Sequence, residues 1–232
     1  MKVIALLKRK NGITHEEFSR HWEEKHGPLA ARMLEPWFRG YIQDHVLPLP
    51  GAEEPPIDGL DEMWVDDLES WQALYEFYMG DEGKPMRDDE AQFLDSSSTV
   101  IFLVDQKFMV RPAGRVKVMA LLKRKKGTTH EQFSRHWEEI HGPLCVRMLP
   151  WFTGYIQDHA VTLPGAEEPP IDGLDEMWAA DLESWQKLSA FHASEEGKPM
   201  QDDEEQFLDT SSISVFLVDQ KFIIGSPEIQ YS

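Results

Sequence analysis

The chain has 232 residues, of which 41% are hydrophobic, so it can bury the core of one large domain or of two small ones. Its formal net charge of −19 disfavours nucleic acid and anionic membrane surfaces as partners, and its single cysteine excludes an internal disulfide. The sequence has neither a run of about 18 apolar residues nor a signal-peptide pattern at MKVIALLKRK, so we expect a cytoplasmic protein without a membrane span.

The first half of the chain shows a regular order of strand and helix patterns. Thr14 and Glu17 form a capping box, which predicts the beginning of a helix. The predicted elements in chain order are a strand at 3–7, a helix with an apolar stripe at Phe18, Trp22, Leu29 and Met33, strands at 37–47 and 59–65, a helix at about 68–79, an acidic coil and a strand at 99–110. This β-α-β-β-α-β order is typical of a ferredoxin-like unit.

The same pattern occurs a second time, because residues 2 to about 110 match residues 117 to about 224. The recurring positions are His15, His21, His26, Trp37, Tyr41, His45, Trp64 and Trp71, which return as His130, His136, His141, Trp151, Tyr155, His159, Trp178 and Trp185. Two copies of this length predict fused domains rather than a solenoid. We predict a first domain at 1–110, a linker at 111–115, a second domain at 116–225 and a tail at 226–232.

Each predicted sheet carries helices on one face only, so its other apolar face needs a partner. The predicted fold class is therefore α+β, with two ferredoxin-like βαββαβ units fused in one chain. We expect their sheets to pack face to face as an intramolecular dimeric α/β barrel, a pseudo-dimer that leaves further homodimerisation open.

The helix that carries His21, Trp22 and His26 runs into Gly27-Pro28. Proline is accepted at a first helical position but not in a helix interior, so we expect the helix to end there. An imidazolium at His26 would be stabilised by the negative end of the helix dipole, while burial would oppose it. An ordinary imidazole pKa of about 6.5 suits general acid–base work. The alternative is that His26 only caps the last carbonyls.

Polar side chains alternate along the following strand, at Tyr41, Gln43 and His45. If this strand passes under the helix, Tyr41, His45 and His26 line one cavity. Trp22 has the same helical phase as His26. Trp64 is most simply a core residue, although its place beside Asp61 and Glu62 also allows contact with a ligand. The second copy repeats these residues as His141, His159, Tyr155, Gln157, Trp137 and Trp178.

Several other features carry weaker expectations. The HxH, HExxH and CxxC spacings do not occur, so no metal is predicted, with a divalent ion held by His26, Asp44 and His45 as the alternative. No Gly-rich phosphate loop occurs, so no nucleotide or flavin cofactor is predicted. Cys145 is matched by Ala30, so it is not expected to be a nucleophile. His15 is expected to be exposed, and His21 is expected to lie on a helix flank. The acidic runs 88–90 and 202–204 are expected to be solvated loops or helix starts. The loop 48–59 is expected to be a lid or a rigid connection.

The motifs LLKRKNGITHEEFSRHWEEKHGPL, GYIQDH, DGLDEMW and DDEAQFLD, with their second copies, resemble the EthD domain family of the dimeric α/β barrel superfamily. The resemblance covers almost the whole chain, twice. It implies a histidine proton shuttle at His26 and at His141, and a pocket lined by the strand of Tyr41 and His45 and by its repeat. Asp44 and Asp158 depart from the asparagine or other polar residue that relatives often have there.

Characterised relatives include cofactor-free dehydratases and decarboxylases of aromatic polyketides and muconolactone-type isomerases, while others are accessory proteins. The resemblance thus implies a cofactor-independent lyase or isomerase of a small aromatic, polyketide-like or lactone substrate. His26, His141, His45 and His159 are the predicted catalytic residues; Tyr41, Tyr155, Trp22, Trp137, Trp64, Trp178, Gln43 and Gln157 are the predicted substrate-binding residues. The alternatives are a non-catalytic binding or accessory protein for a hydrophobic metabolite, a cofactor-free monooxygenase, or a haem-binding barrel.

Overall fold

A computed structural model describes residues 1–47, 55–162 and 167–225. The first copy comprises β1 (Lys2–Leu7), α1 (His15–His21), a π-helical turn (Trp22–His26), α2 (Gly27–Leu34), β2 (Gly40–Leu47), β3 (Gly59–Trp64), α3 (Leu68–Met79), α4 (Lys84–Phe93) and β4 (Val100–Val110). The second comprises β5 (Val116–Leu122), α5 (His130–His136), a second π-helical turn (Trp137–His141), α6 (Gly142–Met148), β6 (Phe152–Val161), β7 (Gly173–Ala179), α7 (Leu182–His192), α8 (Lys198–Phe207), a 3₁₀ turn (Thr210–Ser212) and β8 (Ser214–Ile224). Residues 48–54 of the predicted lid loop and the predicted tail 226–232 lie outside the described residues.

The predicted helix end at Gly27 is wrong, because the helix continues through the Gly-Pro pair. The turn before it is widened to the π form, and the N–H of Gly27 donates to the carbonyl oxygen of Trp22. Pro28 then falls in the first turn of α2, directly after the widened turn, so the helix continues there without the amide that proline lacks. Gly27 has ordinary helical dihedrals, so the glycine does not end the helix. A Cβ at this position would lie 3.1 Å from Cδ1 of Ile223 and 3.4 Å from Nε2 of Gln43.

The acidic coil predicted after residue 79 is also wrong, because Lys84–Phe93 forms the helix α4. Pro85 occupies a first-turn position, and buried Met86 and Phe93 anchor the helix to the core. Asp89 and Glu90 consequently lie in mid-helix. The predicted capping box at Thr14 and the helix at 68–79 are confirmed.

Antiparallel pairing joins the strands within each half. In the first half β3 lies between β1 and β2, with Asp61 paired to Ala5 on one side and to Gln43 on the other. In the second half β7 lies between β5 and β6, and β5 also pairs with β8. Side chains alternate between the two faces of a strand, so Asp61 and Met63 point the same way and Glu62 and Trp64 the opposite way.

Trp22 packs between the helices and the sheet of the first half. The ring is fully buried, packs on Phe18 with a centroid distance of 5.4 Å, and covers Gly59 at the start of β3. A Cβ at Gly59 would lie 2.3 Å from Cζ3 of Trp22, so only glycine allows this contact. Trp137 and Gly173 repeat the arrangement in the second half.

The chain divides into two compact units, one of Met1–Leu103 with the chain from Asp219 onward, and one of Val104–Val218. Each boundary falls within a strand, β4 or β8. The α+β class and the tandem repeat are as predicted, whereas the ferredoxin-like assignment and the face-to-face packing of the two sheets stay predictions. None of the helices in the described part of the chain is both long enough and apolar enough to span a membrane.

Candidate functional site

The first unit contains a cavity of about 280 Å³ between the helices and the helix-facing side of the sheet. Its wall is largely apolar and aromatic, with contributions from Trp22, Phe38, Met63, Trp71 and Tyr75. Its polar groups include His26, Tyr41, Asp61, Tyr78 and Glu90. A small cavity with an apolar wall and a few convergent polar groups is the usual form of a small-molecule site.

His26 enters this cavity from the last position of the π-helical turn and is 5% exposed. Its Nδ1 lies 3.0 Å from Oδ2 of Asp89, whose other carboxylate oxygen lies 2.9 Å from Nε2 of His21. Burial alone would raise the pKa of Asp89, but the hydrogen bonds with His26 and His21 hold it below its ordinary value. A carboxylate can only accept a hydrogen bond, so Nδ1 of His26 carries a proton and Nε2 is the nitrogen left for a ligand.

Asp61 and Tyr41 form the sheet side of the cavity. The Tyr41 hydroxyl donates to Asp61 and accepts from Nε2 of Gln43 at 3.2 Å, while the second Asp61 oxygen, Oδ1, has no hydrogen-bond partner among the described residues. Burial raises the pKa of Asp61 to about 7, although the Tyr41 hydrogen bond and the nearby His26 pull it down. Burial also raises the pKa of Tyr41 well above its ordinary value, so its proton is retained.

Tyr78 and Glu90 close a third side of the cavity. The Tyr78 hydroxyl donates to Oε2 of Glu90. Burial raises the pKa of Glu90, and it also raises the pKa of Tyr78. Tyr75 and Tyr78, which are matched by Ser189 and His192 in the second copy, both line the cavity.

His45 does not line the same cavity as His26. It faces a separate depression beside His15 and Ser19, with its Nδ1 2.5 Å from the Ser19 hydroxyl and its Nε2 3.3 Å from Oε1 of Gln43. Burial lowers the pKa of His45 to about 4, and the nearby Lys221 ammonium adds to this. His45 thus reaches the cavity only indirectly, through Gln43 and Tyr41.

Trp64 and Asp44 also differ from their predicted roles, because strand alternation places both on the sheet face away from the helices. Trp64 packs against the Lys2 ammonium, 5.1 Å from the ring centroid, and Lys2 forms a buried ion pair with Glu62 at 2.6 Å. Trp178 makes the equivalent contact with the Lys117 ammonium at 5.2 Å. His26, Asp44 and His45 therefore do not point toward one place, and the alternative of a metal ion held by these three residues is wrong.

The two remaining histidines of the first helix are engaged in the fold. His15, expected to be exposed, lies 3.0 Å from Oδ1 of Asp58 and 2.7 Å from the carbonyl oxygen of Val46. The hydrogen bond with Asp58 raises the pKa of His15 despite its partial burial. The His21 ring stacks on Phe93 at a centroid distance of 4.7 Å.

The second half repeats the central geometry. Nδ1 of His141 lies 2.9 Å from Oδ2 of Asp203, Gln157 donates to the Tyr155 hydroxyl at 2.9 Å, and burial raises the pKa of Asp175 to about 7. His159 repeats the pairing of His45 with its glutamine, and burial lowers its pKa to about 4. Two contacts differ from those of the first half. Cys145, which takes the place of Ala30, contacts His141, and Glu204 is contacted by His192 rather than by a tyrosine.

Sequence reasoning missed Asp61, Asp89 and Glu90 as site residues. The strand pattern of DGLDEMW carried a signal for Asp61, because Asp61 shares a face with Met63. Nothing in the acidic run at 88–90 indicated that Asp89 and Glu90 lie in mid-helix and reach the cavity, because the run was predicted to be coil or a helix start.

Comparisons with known proteins place the chain in a sequence family. The EthD domain model matches residues 10–97 and 125–211. No curated protein matches the chain in sequence.

Solved structures add likenesses of fold. An anthrone oxidase-like protein is 10% identical with a TM-score of 0.61, covering 96% of this chain and 92% of that one. A candidate monooxygenase from Lactobacillus acidophilus is 11% identical with a TM-score of 0.54, covering 95% and 94%. An EthD family protein from Bacillus halodurans is 26% identical with a TM-score of 0.32, covering 43% and 93%. The first two likenesses concern the fold alone, and nothing further is concluded from the third.

Proposed function

The chain belongs to the EthD domain family, and from its cavity we propose that it is a cofactor-independent lyase or isomerase of a small aromatic, polyketide-like or lactone substrate. One observation carries the proposal: His26 and Asp61 face the same largely apolar cavity of about 280 Å³. The pKa of Asp61, raised to about 7 by burial, lets this carboxyl group change protonation state near neutrality.

His26 is the proposed general base and acid. Asp89 holds its Nδ1–H, which fixes the ring orientation and leaves the lone pair of Nε2 to take a proton from a carbon next to a substrate carbonyl. The anionic Asp89 also stabilises the imidazolium that forms. His26 can then return the proton to another atom of the same substrate, which gives isomerisation, or to a leaving group, which gives elimination.

Protonated Asp61 is the proposed partner of the developing enolate oxygen, and Tyr41 is proposed to position Asp61 through the hydrogen bond between them. A carboxylic acid kept neutral by an apolar site is a strong hydrogen-bond donor to an oxyanion. Oδ1 of Asp61, which has no partner among the described residues, supplies the free atom for this contact. Decarboxylation, dehydration and double-bond migration all pass through such an enolate, so one site serves all three.

The proposed role of His45 is positioning rather than contact with substrate. Its Nε2 pairs with Oε1 of Gln43, and this orients the Gln43 amide so that its NH₂ group donates to Tyr41 and to the Trp22 carbonyl. His159 has the same proposed role beside Gln157. Trp22 and Trp137 are proposed as walls of the substrate sites. Trp64 and Trp178, on the opposite sheet face, are left out of this proposal.

A second candidate is cofactor-free oxygenation. The likeness of fold to an anthrone oxidase-like protein and to a candidate monooxygenase favours it, and the first step, removal of a proton next to a carbonyl, would use the same base. Oxygen uptake with anthrone as the probe separates this candidate from a lyase or isomerase, which consumes no oxygen.

The decisive experiment measures exchange of the carbon-bound protons of 2-tetralone with D₂O by NMR, in the presence of wild-type protein and of a double variant, His26→Asn with His141→Asn. We expect the protein-catalysed exchange rate to fall by about 10²–10⁴-fold in the double variant, as is usual when a general base is lost. A matched variant, His130→Asn, removes an imidazole outside the cavity and should retain the exchange rate. Equal exchange rates in wild type and double variant, with unchanged circular dichroism, would refute the proposal and leave a binding protein as the alternative.

A further inference from the structure

The helical side of the cavity in the first unit carries one polar pair. Tyr78 lies on α3 and Glu90 on α4, and both line the cavity together with His26. Glu90 shares a helix face with Met86, four residues earlier, which also lines the cavity. The Tyr78 hydroxyl donates to Oε2 of Glu90. A ligand that enters the cavity therefore meets this pair on the side of the helices.

One oxygen of the pair is left open. Oε1 of Glu90 forms no hydrogen bond with the described residues, and it is not enclosed by protein atoms. A carboxylate oxygen can only accept, so it needs a donor. Thr99 lines the same cavity, and its Oγ1 is buried without a partner in the described part of the chain. Polar atoms left open in a largely apolar cavity mark places for polar ligand atoms.

The second copy closes the corresponding carboxylate. His192 stands at the position that matches Tyr78, and its Nε2 lies 2.9 Å from Oε1 and 3.1 Å from Oε2 of Glu204. The hydrogen bond with Glu204 raises the pKa of His192, which favours an ion pair. One imidazole thus occupies both oxygens of Glu204, whereas the Tyr78 hydroxyl occupies only one oxygen of Glu90. The two halves therefore differ in a contact that a ligand can use.

The charge of the cavity favours a neutral hydroxyl group over an anion. The described residues that line it include the carboxyl groups of Asp61 and Glu90 but neither a lysine nor an arginine. The nearby Arg87 guanidinium lies over the Tyr78 ring, 5.7 Å from its centroid, and donates to the carbonyl oxygen of Gly80 at 3.0 Å. A ligand carboxylate or phosphate would meet the charge of Glu90 without a compensating cation. A hydroxyl group brings a donor and no charge.

We propose that Glu90 and Tyr78 form a hydroxyl-binding subsite of the first unit, and that the substrate there is a neutral aromatic carbonyl compound with a hydroxyl group on its ring. The hydroxyl group donates to Oε1 of Glu90, while Tyr78 holds the carboxylate in place through Oε2. The reacting carbonyl lies at His26 and Asp61, as in the proposed function, on which this inference rests. The second unit, whose matching carboxylate is already paired, makes no such selection.

The test compares 2-tetralone with 2-tetralones that carry one hydroxyl group on the aromatic ring, and with the methyl ethers of these compounds. All proteins carry His141→Asn, so exchange of carbon-bound protons with D₂O, followed by NMR, reports on the first unit. Isothermal titration calorimetry gives the Kd of each compound. The measurements are made at pH 8, because burial raises the pKa of Glu90 and the carboxylate form is required.

We expect at least one hydroxylated compound to have a Kd about 10–100-fold lower than that of 2-tetralone, the usual contribution of a hydrogen bond to a charged group. Its methyl ether should lose this advantage, because the ether oxygen cannot donate. The kcat/KM of exchange should rise in parallel with binding.

Two variants and a control locate the effect. Glu90→Gln removes the charge, and Tyr78→His places the residue of the matching position 192 in the first unit, so it should fold. Both variants should abolish most of the advantage of the hydroxylated compound. Glu76→Gln alters an exposed carboxylate of α3 outside the cavity and should retain the full advantage.

The outcomes separate the subsite from the proposed function. The subsite is refuted if no hydroxylated compound binds more tightly than 2-tetralone, or if the advantage survives in Glu90→Gln. Protein-catalysed exchange of 2-tetralone without any hydroxyl advantage would refute the subsite and leave the proposed function standing. An advantage in Kd that depends on Glu90, with no protein-catalysed exchange, would support the subsite and refute the proposed function.

Discussion

Replacing Asp61 by asparagine should change how stability depends on pH. The folded-state pKa of about 7 lies well above the ordinary value of 3.8, so between these values the folded state holds a proton that the unfolded state has lost. Stability contributed by the protonated carboxyl is therefore fully present below about pH 4 and is lost as the pH rises to about 7. Asparagine keeps the shape and has no such titration.

The magnitude follows from the size of the shift. Each pKa unit corresponds to about 1.4 kcal/mol, and most of the titration lies between pH 5 and pH 8. Over this interval the free energy of unfolding of wild type should fall by about 3 kcal/mol more than that of Asp61→Asn. Urea denaturation followed by tryptophan fluorescence at pH 5 and pH 8 measures this double difference directly.

Two further variants serve as controls. Asp175→Asn removes the twin carboxyl, whose pKa is also raised to about 7, and should show a similar double difference. Asp95→Asn should show none, because hydrogen bonds from Ser97 and Ser98 lower the pKa of Asp95 and leave it ionised in both states over this interval. A stability difference between Asp61→Asn and wild type that is the same at both pH values would show that the Asp61 pKa is ordinary, and the proposed hydrogen bond from a neutral acid would then be untenable.

Three other predictions follow from the same half of the molecule. Gly59→Ala should lower the free energy of unfolding by about 1–3 kcal/mol, since its Cβ would lie 2.3 Å from Cζ3 of the buried Trp22, and thermal unfolding measures the loss. The His45 imidazole resonances should stay constant from pH 8 to pH 5 in NMR spectra, because its pKa is lowered to about 4. Stability tied to His45 should accordingly fall as the pH drops from about 6.5 to 4. In a His141→Asn background, which removes the base of the second half, Asp89→Asn should slow exchange of 2-tetralone protons roughly tenfold or more without abolishing it, because His26 would lose the carboxylate that orients it; an unchanged rate would exclude that role.

Much of the architecture follows from local patterns in the sequence. The capping box at Thr14, the helix at Leu68–Met79 and the strand alternation of GYIQDH depend on interactions within a few residues, so the sequence predicts them well. The tandem repeat is equally visible, and the family model matches both copies. His26 lies in the wall of a cavity, although the helix does not end at Gly27 as predicted, and its role stays a prediction.

The separation of His26 from His45 could not be predicted from the sequence. Both residues belong to elements that meet face to face, but the ring of Trp22 packs against His45, 4.3 Å between centroids, on the side away from the cavity. Which side of a bulky ring a neighbour occupies depends on packing between distant segments. The same limit applies to Asp89, which reaches His26 from 63 residues further along the chain.

The sequence by itself determined the repeated order of strands and helices and the position of one histidine beside each Gly-Pro pair, because hydrophobic periodicity, capping and proline geometry act over a few residues. Only the tertiary structure decided which carboxylates meet those histidines and that Cys145 lies against one of them. Hydrogen bonds such as that of His141 with Asp203 join helices distant in sequence, and burial raises the pKa of Asp61 and Asp175 only once the core around them has formed.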